Sequence, residues 1–335
     1  MLSGRDARPP KAVLFGCADK TLAADERALF AEADPLGFIL FARNCENPDQ
    51  LRHLIADLRA AIGRSDAPVL IDQEGGKVAR LRAPHWRHPP PARVFAEAAR
   101  RATASAVRAT RLNARLIGRE LAGLGITVDC APVLDLPVAG AHDIIGDRAF
   151  GETPEQVTLL GSAVCDGLLD EAVLPVIKHL PGHGRALADS HLALPRVDAA
   201  IDDMRRTDFA PFRALKSAPW AMTAHVLYSA IDPDRPASAS PRVIEAIMRG
   251  EIGFDGFLLS DDIGMQALSG SQADRAIAVL DAGCDAVLHC SGNFAEMREV
   301  ANAVPRLTTA SMARLERGEA RRLAGPRAAE VRDVA

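Results

Sequence analysis

Three observations predict that this chain of 335 residues is an α/β protein folded as a single-domain (β/α)8 barrel. Eight short apolar runs alternate with longer segments of helical period, and each run is nearly unbroken, as in parallel strands covered on both faces. The alternation has no midpoint at which a doubly wound sheet would reverse. No low-complexity linker divides the chain.

In chain order the runs occupy 12–16, 37–42, 68–72, 126–131, 173–179, 220–225, 256–261 and 285–290. Helical segments fall between them, at 49–62, 103–124, 154–171, 201–216, 241–250 and 265–282. Gly125, Gly253 and Gly283 stand where a helix has to stop before the next strand. A polar, Pro-containing segment over 1–11 precedes the barrel, expected over 12–307. The Arg/Ala/Glu-rich remainder, 308–335, reads as a surface helix followed by a fraying tail.

Composition narrows the function. The 40 Lys+Arg against 44 Asp+Glu give a formal charge of −4, without the basic excess that sequence-independent nucleic-acid binding needs. No stretch approaches the roughly 18 apolar residues of a membrane span, and the first residues hold no apolar segment of signal-peptide length. The six cysteines form no Cys-x-x-Cys pair and read as small buried hydrophobes in a reducing compartment. A cytoplasmic protein is expected. One Tyr and two Trp leave little for stacking along a polysaccharide, which favours a compact mouth and a small soluble ligand.

In such barrels chemistry sits at the C-terminal ends of the strands. Those ends carry Asp19, Arg43, Asn44, Asp72, Asp129, Lys178, His179, His225, Asp261, Asp262 and His289. Asp19, Arg43 and His289 read as ordinary exposed-end residues; Asp72, Lys178–His179 and Asp261 each follow directly on an apolar run and read as functional.

Three segments hold the chemistry. In Ile71-Asp72-Gln73-Glu74-Gly75-Gly76, a strand-end carboxylate meets a Gly-Gly turn, and Arg80 follows eight residues after Asp72. The pair suits a polyhydroxylated ligand, and it equally suits a salt bridge bracing the loop. In Lys178-His179-Leu180-Pro181-Gly182-His183-Gly184, leading to Asp189-Ser190-His191, a Gly-rich loop gathers proton-transfer groups. Asp189 and His191 are two apart, so in extended backbone the acid can orient the imidazole. In Ser260-Asp261-Asp262, adjacent carboxylates require different surroundings; one suits a nucleophile, while the other could cap a helix starting at Met265. A zinc site of the amidohydrolase kind is not expected, because the first strand lacks His-x-His and Pro181–Gly182 break the helical spacing of His179 and His183. A Schiff base on Lys178 stays open.

These segments, with Ala131-Pro-Val-Leu-Asp135, Gly146-Asp-Arg148 and Ala224-His-Val226, resemble the family-3 glycoside hydrolases, specifically their single-domain cytoplasmic β-N-acetylglucosaminidases of the NagZ type. The resemblance runs in order from about residue 12 to 290; Lys77, Leu180 and Ile263-Gly264 depart from the usual Arg, Phe and Leu-Ser-like pair. It implies a retaining exo-glycosidase of peptidoglycan recycling that removes terminal β-linked N-acetylglucosamine from muropeptide fragments. Asp261 would be the nucleophile, His191 the acid/base and Asp189 its partner. Asp72, Arg80, Arg148, Lys178 and His179 would bind the sugar. An imidazole titrates near neutrality without the raised pKa that a carboxylic acid needs for this work, and Gly182 and Gly184 would let its loop swing. A phosphorylase and a substrate-assisted hexosaminidase stay open on the same barrel. No metal or other cofactor, no nucleic-acid or membrane partner and a monomeric state are expected.

Overall fold

A computed structural model describes residues 8–138, 140, 144–186 and 194–325. Eight parallel strands close into a barrel in sequence order: β1 (Lys11–Gly16), β2 (Pro35–Leu40), β3 (Val69–Ile71), β4 (Val128–Asp129), β5 (Leu174–Leu180), β6 (Trp220–Thr223), β7 (Phe257–Asp262) and β8 (Ala286–His289). Each predicted run overlaps one of them, with ends differing by up to a few residues. The runs are unbroken because both faces are covered: Leu14, Ile39, Val176 and Leu259 fill the barrel interior, while Val13, Phe38, Ile177 and Leu258 pack under the helices. Trp220 and Phe257 meet inside with ring centroids 4.7 Å apart.

The helices follow local signals. Asn47 caps Pro48–Ile62 by accepting from Gln50 N, and Thr153 caps Pro154–Asp170 through Gln156 N. Gly125, Gly253 and Gly283 all take positive φ in helix-to-strand turns. Several boundaries differ from expectation. The third helix runs Ala92–Leu124, with Ala102 out of helical conformation one residue before the predicted start. The segment expected as one helix over 201–216 is two, Ile201–Arg206 and Phe209–Ala214; Pro211 has no N–H to continue the first. Val243–Glu251 is wound with i→i+5 hydrogen bonds. Helices Ala24–Ala33 and Phe294–Ala303, not singled out in the sequence, complete the outer ring.

Two readings need correction. The helix after β7 begins at Gln272, capped by Ser271, so Asp262 caps no helix at Met265; the intervening residues form turns, with Gly270 at a φ of +91°. The helix Thr309–Leu323 is more than a surface element. Ser311, Leu315 and Gly318 are buried, and Leu315 joins the same apolar cluster as Trp220, Leu174 and Phe257 inside the barrel. Its apolar stripe floors the barrel, while Arg317 reaches the exposed Asp255 and Arg314 reaches the buried Asp285. Among the described residues, no helix is long and apolar enough to cross a membrane.

Candidate active site

A cavity of about 410 Å³ opens at the C-terminal ends of the strands, within the size range of small-molecule sites. Asp72, Arg80, Arg148, Lys178, His179 and Asp261 all line it. Asp189 and His191 lie outside the described residues.

One wall is a ladder of alternating charge. After β3 the chain turns back in a hairpin, Gln73–Gly75 against Val78–Ala79. Gly75 and Gly76 have φ of +104° and +57°, and a Cβ on Gly75 would stand 2.4 Å from the Pro90 carbonyl, so the turn requires glycine. The hairpin returns Arg80, whose Nη2 donates to Asp72 Oδ2 at 3.0 Å. The pair is the ion pair that the spacing allowed, and it faces the cavity. Lys178 Nζ, from β5, donates to Asp72 Oδ1 at 2.9 Å and lies 2.7 Å from Glu74 Oε1. Glu74 takes Arg148 through two bonds of 2.8 Å. Arg80, Asp72, Lys178, Glu74 and Arg148 thus alternate along the wall. Burial alone would raise both carboxyl pKa values, but the cations outweigh it: Glu74 falls to about 2 and Asp72 lies well below the ordinary range. Burial alone would lower Lys178, yet Asp72 and Glu74 raise it above its ordinary value. An amine held charged by two carboxylates is a poor Schiff-base nucleophile, which disfavours aldolase chemistry.

The second wall is the Lys178–Gly184 segment, pinned by an acid to which the sequence gave no role. Asp135 is buried; its Oδ2 lies 2.7 Å from His179 Nδ1, and its Oδ1 accepts from His183 N at 2.6 Å. The histidines outweigh burial and lower its pKa. His183 is driven down to about 4 by burial and by His179, so its ring is neutral at pH 7. Gly182 and Gly184 are both closely packed. A Cβ on Gly184 would stand 1.8 Å from the Leu136 carbonyl, and Tyr228 Oη donates to Gly182 O at 2.6 Å.

At the third side Asp261 is the next-to-last residue of β7. Burial opposes its ionisation, but His225, His179 and the Asp262 N–H together lower its pKa, so it is a carboxylate at neutral pH. Asp262 has different surroundings, with Oδ1 taking Gly264 N and Cys290 N. Phe41, Ile145, Met222 and Met265 give the cavity its apolar surface.

Asp129 stands apart from this set. Its Oδ1 accepts from Gln73 N at 3.0 Å, while Oδ2 has no hydrogen-bond partner among the described residues. Burial pushes its pKa up to about 7. Arg43, read as an ordinary exposed end, is half-buried and braces loops, donating to Cys17 O and Cys290 O, and His289, read the same way, is fully buried beneath the strand end. Glu74, Asp135 and His183 are the site residues that sequence reasoning left without roles. A signal existed for Glu74, which stands two residues from Asp72 in extended backbone and so shares its face.

The arrangement can hold a polyhydroxylated ring between fixed donors and acceptors, with an ionised carboxylate beside it. Comparisons with known proteins agree. The model of the glycosyl hydrolase family 3 N-terminal domain matches residues 15–324. The β-hexosaminidase of Methylococcus capsulatus is 39% identical over 282 residues, 83% of this chain and 82% of that one. That of Alkalilimnicola ehrlichii is 41% identical over 283 residues, 83% and 80% of the two chains. The structure of NagZ from Neisseria gonorrhoeae in complex with N-trifluoroacetyl-D-glucosamine superposes with a TM-score of 0.84 at 31% identity, covering 93% of this chain and 90% of that one. This chain belongs to glycosyl hydrolase family 3.

Proposed function

We propose that this protein is a retaining β-N-acetylhexosaminidase that removes terminal, non-reducing β-linked N-acetylglucosamine from small soluble muropeptide glycosides in the cytoplasm, as part of peptidoglycan recycling. The relatives' name, β-hexosaminidase, and the N-acylglucosamine held by the Neisseria protein support the sugar. The catalytic unit is the single barrel over 12–307, with the helix that follows as its floor, acting as a monomer.

The observation that carries the mechanism is the protonation of the cavity. The described lining acids with shifted titration, Asp72, Glu74 and Asp261, are all held as carboxylates. A nucleophile is therefore available, while a retaining glycosidase also needs a proton donor. An imidazole meets that need near neutrality. Asp261 attacks the anomeric carbon, the bond to the aglycone oxygen breaks, and His191 gives that oxygen its proton. Water then attacks the same carbon, returns a proton to His191 and frees Asp261 as the sugar leaves. Asp189 orients His191. Asp72, Arg80, Arg148, Lys178 and His179 hold the hydroxyls and the acetamido group.

The test is nitrophenol release from 4-nitrophenyl N-acetyl-β-D-glucosaminide in EDTA without phosphate, for wild type, Asp261→Ala and His191→Ala. Turnover by wild type that is lost in Asp261→Ala is expected. Turnover that needs phosphate would mark a phosphorylase, and wild-type rates in Asp261→Ala would refute the nucleophile.

A further inference from the structure

Residue 262, next to the proposed nucleophile, is held from several sides. Its carbonyl oxygen lies 3.0 Å from His225 Nε2 and accepts Met265 N at 3.1 Å. Its carboxylate oxygen Oδ1 takes Gly264 N at 3.0 Å and Cys290 N at 3.1 Å. Its own N–H is donated to Asp261 Oδ1 at 2.8 Å. The amide that aims the attacking carboxylate therefore belongs to a residue whose position is set by His225, the turn after β7 and the end of β8.

The chemistry of His225 follows from its partners. A carbonyl oxygen only accepts, so Nε2 carries a proton. Nδ1 lies 2.6 Å from Ser238 Oγ, and both side chains are completely buried. Burial lowers the histidine's pKa, so the ring is neutral at pH 7 and Nδ1 presents its lone pair to the Ser238 hydroxyl. We infer that Ser238, His225 and Asp262 form a positioning relay for the glycosidase reaction: Ser238 fixes the tautomer of His225, His225 fixes Asp262, and the Asp262 amide points Asp261 at the anomeric carbon. No proton crosses the relay during turnover. The second aspartate of the pair thereby has a function distinct from the first. The relay rests on the assignment of Asp261 as nucleophile.

Wild type, His225→Phe, His225→Gln and Ser238→Ala are compared on 4-nitrophenyl N-acetyl-β-D-glucosaminide. The rate of labelling by a fluorinated N-acetylglucosaminyl fluoride is followed in parallel by mass spectrometry of the peptide containing Asp261. Glutamine can offer an N–H toward the Asp262 carbonyl, and phenylalanine cannot. His225→Phe is expected to lose about 100-fold in kcat with KM within about twofold, the signature of ångström-scale misplacement of a reacting group. Labelling should slow by the same factor, and His225→Gln should recover to within about tenfold of wild type. Ser238→Ala should lose about tenfold in kcat at unchanged KM, the size of one hydrogen bond. Equal losses in His225→Phe and His225→Gln with a raised KM would overturn the relay in favour of a packing role. Wild-type kcat in Ser238→Ala would also overturn it, and that variant with His225→Gln decides the matter if His225→Phe does not fold. Labelling of Asp261 at the wild-type rate in His225→Phe overturns the relay alone. Absence of label on Asp261 in wild type overturns the nucleophile assignment and the relay with it.

Discussion

Replacing Glu74 by glutamine removes one charge from the ladder of Arg80, Asp72, Lys178, Glu74 and Arg148 with almost no change in shape. In the native protein Glu74 takes two bonds from Arg148 and a contact from Lys178, all between 2.7 and 2.8 Å. Its side chain is 8% exposed, against 10% for Arg148 and 2% for Lys178, so the two cations would keep little water to replace it. The pKa offers one measure of the effect. A fall from 4.5 to about 2 corresponds to about 3 kcal/mol of preference for the charged form in the folded state. Breaking a buried pair by removing one partner gives a similar figure, about 3–5 kcal/mol. We expect urea unfolding at pH 7 to show Glu74→Gln destabilised by about 3 kcal/mol. The sign of the pH dependence follows from the lowered pKa. The contribution is fully present above the unfolded value of 4.5 and declines as the pH falls toward about 2, so the gap should be flat from pH 5 upward and shrink below 4.5. KM for the nitrophenyl glycoside should rise several-fold as Arg148 loses its carboxylate partner and Lys178 keeps only Asp72. A variant within about 1 kcal/mol of wild type at pH 7 would refute the reasoning, because it would mean solvent or another group supports both cations.

Asp129 predicts the opposite trend. Its folded pKa of about 7 stands above the ordinary 3.8, so its contribution is lost as the pH rises between those values. Asp129→Asn should match wild type near pH 4 and exceed it by about 2–4 kcal/mol above pH 7 in urea unfolding, and a gap independent of pH would refute this. Gly184→Ala should cost at least about 3 kcal/mol, because its Cβ would stand 1.8 Å from the Leu136 carbonyl. Gly63→Ala, where a Cβ meets nothing within 4 Å, should cost only the left-handed conformation, about 1 kcal/mol; equal losses would show that space does not decide. Leu315→Ala should lower stability by about 2–5 kcal/mol if its helix floors the barrel, and a neutral result would place that helix outside the cooperative unit.

The strands were legible because burial on both faces turns each into a continuous apolar run, and no other element of this chain has that appearance. Helix limits were less legible. Ala24–Ala33 mixes charges and alanines with little periodicity, and no glycine or proline marks the break at Ala102. Strand ends pointed to Asp72, Lys178, His179 and Asp261 because a charged group directly after a buried run needs a purpose. The remaining roles were set by partners far away in sequence. Asp135 meets His179 and His183, Glu74 meets Arg148, and the Asp262 carbonyl meets His225. No local pattern announces such pairings. The same holds for Gly184, whose neighbour is a backbone carbonyl from the preceding crossover.

The helix beneath the barrel has a consequence for how the molecule is made. All eight strands have been synthesised once residue 289 has been added, yet Leu315 and the residues around it arrive only with the following stretch. A nascent chain that has just released β8 from the ribosome can close its sheet, but Trp220 and Leu174 then face water at the open end until Thr309–Leu323 emerges. That interval is when the growing chain exposes apolar surface to chaperones. A chain stopped after residue 307 should therefore accumulate as a chaperone client or aggregate, even though it contains every residue proposed to touch the sugar.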